Sequence, residues 1–119
     1  MIYAKKIYAY IDLDPDTLNL KAKGQSVTCF IELQEGFNVE DIDTTTILLN
    51  GEIPAEAKPI TMGDYDSDGI PDLMVKFDRV ALARLLKPGG AVSIVMVGEL
   101  DGGLIFDGSD IIKVIEPGK

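Results

Sequence analysis

The chain has 119 residues, 46% of them hydrophobic, with a formal net charge of −9, no His, no Trp and one Cys. That length suits one domain, and the hydrophobic share excludes a disordered chain. The charge has the wrong sign for nucleic acid or anionic lipid, and the lack of His removes the usual general base and the commonest zinc or copper ligand. With only Cys29, no intrachain disulfide forms, and the redox compartment stays open. No apolar run is long enough for a membrane span. Residues 1–10 carry Lys5 and Lys6 among apolar neighbours, so no signal peptide is read there. If the natural protein is exported, the chain is expected to be a mature fragment.

Residues 2–13 alternate as a strand. Ile7, Ala9, Ile11 and Leu13 fall on one face; Tyr8, Tyr10 and Asp12 fall on the other, with Tyr3 further out. Asp14-Pro15-Asp16-Thr17 marks a turn. Asp12, Asp14 and Asp16 alternate, which raises a second cation site; turn formation is the better account, since no Gly sharpens the bend and Pro15 restrains it. Residues 18–23 read as extended, and Gly24-Gln25 as a turn. Residues 26–34 form the clearest strand, with Val27, Cys29, Ile31 and Leu33 on one face. A buried, inert Cys29 is expected. Asn38 is read as the cap of one helical turn through Ile42, with Asp41 three residues on. Residues 44–49 are rich in β-branched side chains and close at Asn50-Gly51, a hairpin signal. Pro54 and Pro59 make residues 53–60 an edge strand or extended loop.

Next comes Asp64-Tyr65-Asp66-Ser67-Asp68-Gly69-Ile70-Pro71-Asp72, the stretch that organises the reading. Four aspartates occupy positions 1, 3, 5 and 9, with Gly at 6. Calcium takes six to eight oxygen ligands, and alternate carboxylates converge on one point when the backbone turns sharply. Gly69 permits that turn because it adopts positive φ without a Cβ penalty. The predicted ligands are the side chains of Asp64, Asp66, Asp68 and Asp72 and the backbone carbonyl of Ile70. An EF-hand needs a bidentate Glu at position 12, where this chain has Val75. Leu73, Val75 and Phe77 alternate with Met74 and Lys76, so a strand follows, and Asp72 closes the site from its start. The loop resembles the calcium loops of integrin-type propeller hairpins and, more loosely, those of thrombospondin type 3 repeats and dockerins. The competing reading is an ordinary acidic turn. The all-oxygen donor set favours calcium over magnesium, which demands a tighter octahedron.

Asp78 is the expected N-cap of a short helix over residues 79–86, buried through Leu82, Leu85 and Leu86 and stopped by Lys87-Pro88-Gly89-Gly90. Residues 92–100 read as a strand, Asp101-Gly102-Gly103 as a turn and residues 104–106 as a short strand. Asp107-Gly108 reads as another turn, residues 110–115 as the last strand, and residues 116–119 as a linker or free end. The whole is one domain, all-β: an immunoglobulin-like or Greek-key β-sandwich of about seven strands, with one short helix after the calcium loop.

Three blocks carry a wider likeness. They are Asp14-Pro15-Asp16-Thr17-Leu18-Asn19-Leu20 through Gly24, Gly63-Asp64 through Lys76-Phe77, and Gly98-Glu99-Leu100-Asp101-Gly102-Gly103 through Ser109-Asp110. Together they resemble a little-characterised family of accessory domains in secreted and surface proteins of bacteria and archaea. Those domains are commonly appended near the C-terminus of longer chains. The resemblance implies an exported or cell-surface β-sandwich module with a calcium loop, no known catalytic role and a larger multi-domain parent; it names no ligand.

The expected function is therefore a calcium-stabilised structural or accessory module, without nucleic acid or membrane insertion. The alternative is a binding module for carbohydrate or a partner protein, carried by the tyrosine face, or a filament subunit joined through its N-terminal strand. An enzyme is the least supported class: no nucleophile–base pair and no phosphate loop is legible, and glycosidase chemistry would need a cleft flanked by two carboxylates outside the metal loop.

Overall fold

A computed structural model describes residues 6–22, 24, 26–65 and 67–116. The chain is all-β and sandwich-like: nine strands and one short α-helix among the described residues. The strands are β1 (Lys6–Asp14), β2 (Thr17–Asn19), β3 (Ser26–Leu33), β4 (Ile42–Leu49), β5 (Ile53–Pro54), β6 (Thr61–Gly63), β7 (Asp72–Asp78), β8 (Gly89–Leu100) and β9 (Ile105–Ile115). The helix α1 is Arg79–Leu85. Neighbours run β5-β4-β8-β9-β1-β3-β7-β6, with β2 beside β9.

The alternation read from the sequence is the packing. In β1, Ile7, Ala9, Ile11 and Leu13 are buried; in β3, so are Val27, Cys29, Ile31 and Leu33. They join Ile47, Leu49, Ile94, Met96, Phe106 and Val75 in one core shared by both halves of the sheet. Apolar burial of this kind supplies the main drive for folding. Asn50 and Gly51 both adopt positive φ, +49° and +72°, and turn β4 into β5, the short edge strand. Between Asp43 and Leu48 the β4–β8 register slips. Side chains satisfy the backbone there: Thr46 Oγ1 donates to the Asp43 carbonyl and accepts the Glu99 N–H at 2.8 Å.

Several expectations need correction. The described strands number nine: β2, β5 and β6 are pieces of two or three residues, too short to show a period, while the last two expected strands are joined as β9. Asn38 precedes a single 3-10 turn, Val39–Asp41, but its side chain makes no capping hydrogen bond. Asp78 does cap α1, accepting the Val80 N–H at 3.0 Å. Leu82 and Leu86 are buried, but Leu85 is 37% exposed, since a helix this short presents only one narrow stripe to β3 and β7. The helix ends at Leu86 in extended backbone, φ −104°, without a left-handed glycine. Gly89 already belongs to β8, which starts three residues earlier than the apolar pattern.

Asp107-Gly108 is not a turn. β9 runs through it without a break and pairs with β8 on one side. On the other side, β9 meets β1 in parallel over Lys6–Tyr8. A Cβ on Gly108 would collide with the Ala9 carbonyl oxygen and crowd its carbonyl carbon. The glycine serves a close approach of two strands, a known use of glycine inside a strand. We predict that Gly108→Ala lowers stability by roughly 1–3 kcal/mol, the range for overpacking. Gly90→Ala, where a Cβ meets nothing within 4 Å, should change it little. Paired thermal melts check this.

Candidate metal centre

The aspartate stretch is the connection of the β6–β7 hairpin. Gly63 pairs with Asp72 at its mouth, so both ends of the loop are fixed by the sheet. Within it, Ser67 and Gly69 adopt positive φ, +61° and +86°. Gly69 is where the sharp turn was expected; Ser67 is a non-glycine in the left-handed region, which is uncommon. Asp66 lies outside the described residues.

The described carboxylates are engaged with the loop's own backbone. Asp64 Oδ1 accepts the Asp68 N–H at 3.0 Å, and Asp64 Oδ2 accepts the Gly69 N–H at 2.8 Å. Asp68 Oδ1 accepts the Ile70 N–H at 2.8 Å. Asp72 Oδ2 accepts the Tyr65 N–H at 3.1 Å. These bonds wrap the chain around its aspartates. Each carboxylate oxygen has two lone pairs, so a hydrogen-bonded oxygen can still ligate a cation. The donor set is all hard oxygen, which suits calcium. Asp72 stands apart. It is 3% exposed, the one buried polar or charged side chain among the described residues.

Among the described residues, the tightest acidic group lies elsewhere. Asp12, Asp16 and Asp110 each bring a carboxylate oxygen within 4.8 Å of the others. Asp12 and Asp16 belong to the alternation noted in the sequence, but the third member is Asp110 of β9 and not Asp14. Strand pairing brings it there, and spacing along the chain could not show it. Asp110 has a structural role of its own: its Oδ2 accepts the Leu13 N–H at 2.9 Å and its Oδ1 accepts the Ile111 N–H. It thus extends the β1–β9 contact beyond the parallel pairs. Burial, then Asp16, Asp110 and Asp14, push the Asp12 carboxyl above its ordinary value of 3.8.

Cys29 is fully buried, and burial pushes its thiol far up, with the Asp110 charge adding to the effect. It is a core residue without nucleophilic character. Tyr65 was passed over in the sequence because it occupies an intervening position of the motif. Its ring folds back onto Phe30 of β3, with centroids 5.0 Å apart, and its hydroxyl shares a 2.7 Å hydrogen bond with Thr61. In comparison with known proteins, no family model, curated protein or solved structure matches the chain.

The Asp12 shift fixes a pH dependence. The folded chain holds this proton more tightly than the unfolded chain, so its contribution to stability grows as pH falls through the raised value toward 3.8. At neutral pH the charge opposes folding. In EDTA, Asp12→Asn should therefore raise the melting temperature at pH 7 by about 1–3 °C, a screened surface effect. The advantage should shrink toward pH 4. Melts of both proteins across that range measure it.

Proposed function

We propose that the chain is a calcium-stabilised, non-catalytic structural module of an exported or cell-surface protein. Asp64, Asp66, Asp68, Asp72 and the Ile70 carbonyl are its ligands. The observation that carries the reading is the buried carboxylate of Asp72, placed by β7 at the mouth of an aspartate-rich hairpin. A buried ionised carboxylate is costly unless an opposite charge or several donors meet it. Here the described hydrogen bond comes from one backbone N–H, that of Tyr65. A divalent cation held by the neighbouring aspartates supplies the missing charge and removes the repulsion among them. It stabilises only the folded state, because the unfolded chain does not gather the ligands.

The Tyr8 and Tyr10 rings support the binding-module alternative. They stack at 6.2 Å with an interplanar angle of 13°, and they are 67% and 61% exposed.

A thermal melt in excess EDTA against one in about 10 mM calcium tests the calcium reading. For a site of roughly 10⁻⁴–10⁻³ M, that calcium adds about 1.4–2.7 kcal/mol. Asp68→Ala is expected to lose most of the gain, and magnesium to give less of it. Equal melts of the wild type in EDTA and in calcium would contradict the proposal.

A further inference from the structure

The outer face of β1, β3 and β7 forms a concavity beside the loop. Register sets Tyr10 opposite Glu32, and Asp12 opposite Phe30, which faces Met74 on β7. Tyr65 covers Phe30 from above. The result is a half-open groove of about 310 Å³, lined by the aromatic residues Tyr10, Phe30 and Tyr65, by Asp12, Glu32 and Asp72, and by Ile11. That volume is at the low end for small-molecule sites.

The lining is one-sided in its chemistry. Ionised carboxylates only accept hydrogen bonds, and aromatic faces carry the negative end of their quadrupole. No Lys or Arg is among the described lining residues. Lys76 lies on the same face two positions beyond Met74 and donates to Thr28 Oγ1 at 3.1 Å. A neutral sugar needs donors as well as acceptors to fix its hydroxyls. The side-chain donors in this lining are the two phenols, and that of Tyr65 is already paired with Thr61. A cation needs only acceptors and π faces.

We propose that this groove binds a small organic cation. Its alkylammonium or guanidinium head sits between the Phe30 and Tyr65 rings and the Asp12 and Glu32 carboxylates. Tyr10, stacked on Tyr8, covers the ligand's apolar stem. Asp72 is shared with the hairpin loop, so with calcium in the loop Asp12 and Glu32 supply the counter-charge. The net charge of −9 draws such a ligand in.

The test is isothermal titration of the full chain in saturating calcium with agmatine, with tetramethylammonium and with neutral maltotriose. Saturable binding of agmatine at millimolar or lower concentration is expected, with weaker tetramethylammonium binding and none of maltotriose. Glu32→Gln and Tyr10→Ala should each weaken agmatine roughly fivefold or more, the scale of one charged or one cation–π contact. Both variants should melt in calcium like the wild type, which separates lost binding from lost fold. Three results would overturn the proposal. One is the absence of saturable agmatine binding at millimolar concentration, with or without maltotriose binding. Another is unchanged affinity in Glu32→Gln. The last is agmatine binding only in EDTA and displaced by calcium, which would place the cation on the loop aspartates.

Discussion

The carboxylate of Asp72 sits where three parts of the molecule meet. It opens β7, it pairs across the hairpin mouth with Gly63, and its oxygen holds the Tyr65 backbone. Because Tyr65 N–H is fixed to it, the Tyr65 ring is directed back over Phe30 and Thr61. The loop's remaining described aspartates then fold around their own amides. A charge buried at such a junction is a strain on the fold unless it is neutralised. In our reading a divalent cation does this, and the hairpin, the aromatic cover and the outer groove are organised by one electrostatic requirement.

A second constraint joins the two halves of the sheet. β9 approaches β1 so closely that only a glycine fits at position 108. Past that point the ordinary ladder gives way, and the Asp110 side chain takes over by accepting the Leu13 N–H. This substitution carries an acidic group next to Asp12 and Asp16. The cluster is thus accounted for by strand geometry: its third member is there to hold β1. The Lys6–Asp107 ion pair, 2.9 Å long, secures the other end of the same contact, and as a partly exposed pair it adds little.

The strands that alternate over many residues were legible, as in β1, β3 and β7, because burial on one face imposes a period of two. Asp78 was legible as a cap because its chemistry is local. Apart from the Asn38 cap and the glycine stop of α1, which are local, what failed depended on contacts distant in sequence. Asp107-Gly108 looks like a turn to any local rule, and only the proximity of Ala9 explains it. Leu85 looks buried by composition, but the orientation of α1 against β3 and β7 exposes it. Of the candidate site, the motif, its glycine and its place before a strand were readable. The burial of Asp72, the role of Tyr65 and the joining of Asp110 to Asp12 and Asp16 were not, since each arises from packing between strands far apart in the chain.

Two acidic groups compete as the cation site, and the central claim assigns calcium to the hairpin. The most direct measurement is a calcium titration of the isotope-labelled chain, followed through its backbone amide resonances. The account predicts saturable shifts centred on residues 64–72, with Gly69 and Tyr65 among the largest. Shifts centred on Asp12, Asp16 and Asp110 instead, or none at millimolar calcium, would contradict it.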